Sequence, residues 1–143
     1  MTITQALKEK NKKVGLITRL QNRLQQYNSV ERGVVREYDP RKILEELNAE
    51  IDALVVLKHK IHIASAPVRD KIFLQSELKS HISNLKSVPT TNGVLRERYS
   101  RDEPAVVEAV ISRGEMDSLI ENLELQVESI QEELDQFNYR TKI

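Results

Sequence analysis

Residues 116–137 read MDSLIENLELQVESIQEELDQF and contain the most regular pattern in the chain. Apolar side chains recur there at alternating steps of four and three residues, which is the spacing of the a and d positions of a coiled coil, over about three heptads. Ser112 and Glu115 stand before them as a capping box. The pattern predicts a helix over about 113–137 whose seam is buried against other helices. The seam consists of Met116, Ile120, Leu123, Val127, Ile130, Leu134 and Phe137.

Helical spacing of apolar residues predicts three further helices, over about 3–27, 40–64 and 67–87. Thr2 and Gln5 form a capping box before the first of them. Asp39 and Pro40 supply an N-cap and a first-turn proline to the second. In the second helix the expected stripe at three-and-four spacing consists of Leu44, Leu47, Ile51, Leu54, Ile61 and Ser65, with Lys58 filling the gap.

Two segments between the helices have extended rather than helical patterns. The pair Val34-Val35 favours a short strand within the polar connection that follows the first helix. Thr90-Thr91-Asn92-Gly93 is a turn signal, and the runs 94–99 and 105–111 after it predict a β-hairpin over about 94–111. The expected fold is therefore mainly α: four long helices in an antiparallel bundle or coiled coil, with a small β-hairpin insertion before the last helix.

Length and composition agree with one helical domain over residues 1–143. The chain has a mass of 16.5 kDa, 31% charged residues and 4% aromatic residues, which is a profile of long helices rather than of β-sandwiches. Lys and Arg number 22 and so do Asp and Glu, so no global field attracts nucleic acid, and we expect no nucleic-acid partner. The absence of cysteine excludes disulfides, thiolate metal sites and a cysteine nucleophile.

The charges are nevertheless segregated between the ends of the chain. Residues 3–27 carry six basic residues against one acidic residue, a net charge of +5, whereas residues 115–137 carry eight acidic residues and no basic one. Opposite flanks of this kind select partners in helical assemblies. We therefore expect the first and last helices to pack side by side, within one subunit or between two.

No pattern for export or membrane insertion is present. Charged residues occupy positions 8–10, where a signal peptide would need apolar ones. The longest apolar run, Ala53 to Leu57, is far shorter than the ~20 residues of a membrane-spanning helix. The narrow apolar stripes, flanked by dense charge of both signs, are typical of core seams rather than of membrane-surface helices. We expect a soluble, cytoplasmic protein with no membrane partner.

The three histidines are the weak candidates for a metal site. His59 and His62 are one helical turn apart and His81 lies in the next predicted helix, so the three rings are able to converge. Lys58 and Lys60 oppose a cation beside His59. We therefore expect no metal and no cofactor, with solvated or core-edge histidines as the simpler interpretation.

Catalytic motifs are missing as well. The glutamates follow the spacing of solvated helix faces, and nothing resembles a nucleophile elbow, a phosphate loop or a zinc-protease helix. We expect no catalytic residues and no enzyme, although a site assembled between helices or subunits stays open as an alternative.

Polar residues at three places are candidates for ligand or subunit contacts. Arginines at 96, 98 and 101 surround Tyr99, and arginine beside an aromatic ring can stack on bases. Because acidic residues at 97, 102 and 103 neutralise them, a charged hairpin with internal ion pairs is the favoured interpretation, with Tyr99 and Arg101 as candidates. Arg69 and Asp70 begin the third helix, where Asp70 suits the positive end of the helix dipole; a ligand or subunit contact is the alternative.

The end of the chain supplies the remaining candidates. Asn138, Tyr139 and Thr141 follow the last predicted seam and are placed to cap that helix and to fold Tyr139 and Ile143 onto a neighbour. A frayed terminus is the alternative.

Several motifs in order along the whole chain carry a family resemblance: Gln5-Ala6-Leu7; Asn28 before a polar segment ending in Asp39-Pro40; Arg69-Asp70; Arg98-Tyr99-Ser100-Arg101; and Asn138-Tyr139-Arg140-Thr141-Lys142-Ile143. In this order the chain resembles a family of uncharacterised small bacterial proteins often labelled septicolysin-like. The chain departs from that pattern at Ile61-His62-Ile63-Ala64-Ser65, where members usually have an Asn-x-Thr-Asn-like segment.

The resemblance implies a helical protein that self-associates, with a hexamer as one candidate assembly, and that has no established catalytic activity. The family label also suggests a cytolysin. We do not expect this, because the chain has neither an export signal nor a long alternating strand pair of the kind that builds a barrel in lipid.

Taken together, the residues and the resemblance predict a homo-oligomeric helical scaffold or protein-interaction module. Its partners are expected to be further copies of the chain or an unknown protein. The alternative is a ligand- or metal-binding protein, with an enzyme as one version of it, whose site lies between helices or subunits.

Overall fold

A computed structural model describes residues 1–95 and 105–143. Its described part is mainly helical, as the sequence predicted, with four α-helices and a two-stranded antiparallel sheet. The chain is divided into two compact units, one formed by Met1–Arg69 with Asp135–Ile143 and the other by Asp70–Leu134. The single domain over 1–143 stays a prediction. The elements are α1 (Ile3–Tyr27), α2 (Pro40–Ala64), a 3₁₀ turn (Ala66–Val68), α3 (Arg69–Lys86), β1 (Gly93–Leu95), β2 (Ala105–Val107) and α4 (Arg113–Arg140).

Three of the helices begin at the residues that the capping patterns predicted, whereas α3 begins at Arg69, after the 3₁₀ turn, rather than at residue 67. The Thr2 hydroxyl accepts from the Gln5 N–H at 3.2 Å, and the Gln5 side chain accepts from the Thr2 N–H at 2.9 Å, which completes a capping box before α1. Asp39 accepts from the Arg41 N–H at 3.0 Å before α2. Before α4, the Ser112 hydroxyl accepts from the Glu115 N–H at 3.2 Å. Local side-chain acceptors therefore satisfy first-turn donors in three of the helices.

The core of the first unit is an antiparallel pair of helices, α1 and α2. Leu20 is 1% exposed and lies in one apolar cluster with Ile17 of α1 and with Ile43 and Leu47 of α2. One helical turn further along each helix, the Lys13 ammonium pairs with the Glu50 carboxylate at 3.1 Å, and both side chains are partly covered. Half-buried residues surround the cluster: Leu16, Leu24, Tyr38 and Leu54.

The expected stripe of α2 is corrected by this packing. Leu47 and Leu54 face α1, but Leu44 is 46% exposed and Ile51 is 38% exposed. Ile43, which the expected stripe left out, is buried in their place. The reason is that α1 covers the edge of α2 that holds Ile43, Leu47 and Leu54, and the other edge of the stripe faces away from α1.

The second unit contains an antiparallel pair formed by α3 and α4. Ile82 of α3 clusters with Met116 and Ile120 of α4, and the half-buried Leu85, Leu123 and Val127 pack around them. Gln75 is buried, and its amide nitrogen donates to the Gln131 side chain at 2.8 Å and to the Val127 carbonyl at 3.4 Å. The seam predicted for α4 is therefore its covered face, and the helix extends to Arg140 rather than to residue 137.

Residues 96–104 of the predicted hairpin lie outside the described residues, and its second strand ends at Val107 rather than at residue 111. The strands of the sheet pair Gly93 with Val107, Val94 with Val106 and Leu95 with Ala105. The Asn92 side chain accepts from the Ala109 N–H at 2.8 Å and extends the pairing beyond the strands. Residues 28–39, all of them described, contain no strand. The expectation for Val34-Val35 is wrong because no neighbouring segment pairs with these two residues, which are both exposed.

None of the helices in the described ranges combines the length and the apolar character that crossing a membrane requires.

Replacing Leu20 by alanine tests the core of the first unit. The change leaves a cavity in a covered site, and we expect the free energy of unfolding to fall by about 2 to 5 kcal/mol. Leu125→Ala is the matched control because Leu125 is 58% exposed, and we expect it to change stability by less than about 1 kcal/mol. Urea unfolding followed by circular dichroism measures both; equal losses would contradict the assigned core.

Candidate interaction surfaces

The two ends of the chain meet in the first unit. The Ile3 N–H donates to the Thr141 carbonyl at 2.9 Å, and the Ile143 N–H donates to the Met1 carbonyl at 3.0 Å. Between these bonds, Thr2 and Lys142 form an isolated antiparallel bridge. The end of the chain is therefore held by backbone hydrogen bonds rather than frayed.

Asn138 and Tyr139, two of the predicted interface residues, line a concavity beside this bridge. The concavity has a volume of about 330 Å³ and lies between the start of α1 and the last turns of α4. Tyr139 is 74% exposed, so its ring forms the rim. Thr141 contributes through its main chain to the adjacent bridge. The other lining residues are Thr4, Leu7, Lys8, Asn11 and Asp135.

The first and last helices are thus neighbours at this end. Side-by-side packing along their lengths, which their opposite charges predicted, stays a prediction. In the second unit, carboxylates of α4 pair with lysines of α3. Lys71 bonds Glu133, and Lys86 lies 3.3 Å from Glu124. The hydrogen bond to Glu133 raises the pKa of Lys71 above its ordinary value. Part of the acidic flank of α4 is therefore neutralised by α3, which the sequence analysis did not predict.

An aromatic cluster closes the turn between α1 and α2. The rings of Tyr27 and Tyr38 meet edge to face with centroids 5.3 Å apart. The Arg23 guanidinium lies 4.4 Å from the centroid of Tyr38, a cation–π contact. The Tyr27 hydroxyl donates to Glu37 at 3.2 Å. Desolvation by neighbouring groups raises the pKa of Tyr27, and the bond to Glu37 acts in the same direction.

A cleft of about 600 Å³ lies beside this cluster. Arg36 lines it, and its guanidinium donates to the carbonyls of Tyr27 at 2.8 Å and Asn28 at 3.2 Å. These carbonyls end α1 without a partner in the helix, so Arg36 serves as a C-terminal cap. The guanidinium is thereby engaged in holding the turn together. The cleft is completed by Leu24, Tyr38, Asp39, Pro40, Arg41 and Leu44.

Two of the remaining sequence candidates, Arg69 and Asp70, lie among the described residues. The Arg69 guanidinium donates to the main-chain carbonyl of His62 and ties the residues after α2 to that helix. Asp70 is exposed in the first turn of α3. Tyr99 and Arg101 lie outside the described residues.

The histidines are exposed, with His59 and His62 on α2 and His81 on α3. Among residues 1–95 and 105–143, no group of three or more His, Cys, Asp or Glu side chains is placed to hold a metal ion. The structure therefore adds no support for the metal-binding alternative.

The largest feature that sequence reasoning missed is apolar surface on α2. We call Leu44, Ile51 and Val55 the α2 stripe; these residues follow a step of seven and then of four along one face of the helix. Val55 is 61% exposed, and Val56 and Ile63 are exposed on another face. The signal was present in the apolar run from Ala53 to Leu57, which surrounds the helix instead of marking one side. In the second unit, α3 exposes Ile72, Phe73 and Leu74.

Comparison with known proteins gives no relative. No protein-family model matches the chain, and neither the curated proteins nor the solved structures contain a match. The resemblance to the septicolysin-like family stays a prediction from local motifs.

Substitutions at Tyr38 test the aromatic cluster. Tyr38→Leu removes the ring that Arg23 and Tyr27 contact, and we expect the free energy of unfolding to fall by about 1 to 2 kcal/mol. Tyr38→Phe keeps the ring, so its stability should stay within about 0.5 kcal/mol of the unaltered protein. Chemical unfolding measures both variants, and a phenylalanine variant as unstable as the leucine variant would contradict the assignment to the ring.

Proposed function

We propose that the protein is a homo-oligomeric helical scaffold whose working parts are exposed helix surfaces rather than an active site. The observation that carries the proposal is the set of large apolar side chains that helices of both units leave exposed. Burial of such surface is the main driving force of protein association.

The exposed residues are large aliphatic and aromatic side chains on regular helices. The α2 stripe lies in the first unit, and Phe73, which is 63% exposed, lies in the second. The backbone of a helix is already ordered, so an interface formed on helices has to order side chains but no backbone. Each unit therefore offers a surface of the kind that obligate oligomers bury.

Self-association is the proposed activity, and a cytoplasmic location with no nucleic-acid partner belongs to the same proposal. It agrees with what the resemblance to the septicolysin-like family implies, including a hexamer as one candidate assembly. An unknown protein partner would use the same surfaces. The ligand-binding, enzymatic and cytolytic alternatives stay predictions that no described feature favours.

The absolute molar mass in solution tests the proposal. Light scattering on a sizing column should give an integral multiple of 16.5 kDa at micromolar concentration. Because the proposed interfaces are mainly apolar, we expect that multiple to persist at high salt. A mass of 16.5 kDa at every concentration and salt would refute self-association.

A further inference from the structure

We propose that the α2 stripe packs antiparallel against the same stripe of a second copy, about a two-fold axis that passes residue 53. In this arrangement Ile51 of one copy lies opposite Val55 of the other. The inference rests on the proposed function and specifies one of its interfaces.

Within residues 1–95 and 105–143, the side chains of the α2 stripe stay partly uncovered. Leu44, Ile51 and Val55 are 46%, 38% and 61% exposed. The edge of α2 that faces α1 is a different one, where Ile43 and Leu47 are buried and Glu50 pairs with Lys13. The helix thus has one covered seam and one uncovered seam beside it.

The uncovered seam has the spacing of a coiled coil. Extended along the helix, it runs through residues 44, 48, 51, 55, 58 and 62 in alternating steps of four and three, which is coiled-coil spacing. The added members are Asn48, Lys58 and His62, all exposed. Apolar residues occupy the middle at 51 and 55, and polar ones lie on either side of them. An antiparallel pairing about residue 53 places 51 opposite 55, 48 opposite 58 and 44 opposite 62.

The charge along α2 favours one orientation of the pair. Besides Glu50, which pairs with Lys13, residues 45–52 hold the carboxylates of Glu45, Glu46 and Asp52, whereas residues 54–61 hold Lys58 and Lys60 and no acid. In the antiparallel pair the acidic segment of each copy lies opposite the basic segment of the other. A parallel pair would place carboxylates against carboxylates, and like charges in this position oppose association.

Charge and one polar residue of the seam also favour one register of the antiparallel pair. Shifting the antiparallel pair by one heptad, so that Leu44 lies opposite Val55, also matches apolar residues. That shift moves the axis to between residues 49 and 50, where the two acidic segments face each other, and it places Arg41 opposite Lys58. In the register centred on residue 53, the Asn48 amide oxygen instead meets the Lys58 ammonium of the second copy. A polar residue within a coiled-coil seam is a known means of fixing register.

Crosslinking tests orientation and register together. The chain has no cysteine, so each introduced thiol is unique. Leu44→Cys and His62→Cys proteins, mixed and treated with a short bismaleimide linker, should give a crosslinked dimer that contains one chain of each variant. Leu44→Cys alone should give none, because the two thiols are then 18 positions apart along the antiparallel pair, about 27 Å. A self-crosslinked Leu44→Cys protein would mean a parallel pair and would overturn the proposal.

Adjacent valines provide the matched substitution. Val55→Glu puts a carboxylate opposite Ile51 in the proposed interface, and we expect the dissociation constant of the assembly to rise at least about tenfold. Val56→Glu is the control, because Val56 is 55% exposed but lies on another face of α2. Circular dichroism checks that both variants keep the helix content of the parent. Retained association in Val55→Glu would overturn the α2 pairing.

The results distinguish this inference from the function on which it rests. If the parent protein has a solution mass of 16.5 kDa, both the scaffold proposal and the α2 interface are overturned. A parent protein of higher mass whose Leu44→Cys and His62→Cys variants do not crosslink leaves the scaffold and removes the α2 interface.

Discussion

The contact between Leu20 of α1 and the Ile43–Leu47 edge of α2 is the one on which the first unit depends. Burial of these side chains is the largest favourable term available to a pair of helices with few other apolar contacts. It also fixes the rotation of α2 about its own axis. Once Ile43 faces α1, Leu44 cannot do so, because successive residues on a helix point about 100° apart. The covered seam therefore determines which apolar residues of α2 stay uncovered.

The second unit combines apolar contacts at one end of its helix pair with polar contacts at the other end. Its apolar cluster, around Ile82, Met116 and Ile120, lies towards one end of the α3–α4 pair. Towards the other end, Gln75 and the Lys71–Glu133 pair take over as the contacts between the helices. Exposed ion pairs add at most about 1 kcal/mol, so the polar contacts contribute more to alignment than to stability. The two units are thus held by different proportions of apolar burial and polar pairing.

Much of the architecture could be predicted because its signals are local. Caps such as Thr2 and Asp39 act within one turn, and they placed the starts of α1 and α2 correctly. The side of α2 that packs against α1 could not be predicted. The adjacent residues Ile43 and Leu44 fit a helical stripe equally well, and the choice between them depends on which side chains of α1 they meet. The terminal motif was expected to cap the last helix, but Asn138 and Tyr139 lie inside α4, which ends at Arg140. The contact of Tyr27 with Tyr38 joins the two ends of the connection between α1 and α2, and no local sequence pattern predicts it. The available signal was the presence of an aromatic residue at each end of that connection.

Gln75 has a consequence for how the second unit assembles. Its buried amide is satisfied at one longitudinal position of α3 against α4, where the Gln131 side chain and the Val127 carbonyl are both within reach. Sliding the helices by one turn would still match leucine with isoleucine or valine, but it would strand this amide in apolar surroundings at a cost of about 1 to 3 kcal/mol. The hydrogen bonds of the Gln75 amide thus favour one register of α3 against α4. A seam made only of aliphatic residues allows several helix alignments of similar energy. The seam with Gln75 favours one alignment over the others, and this reduces the number of competing conformations during folding.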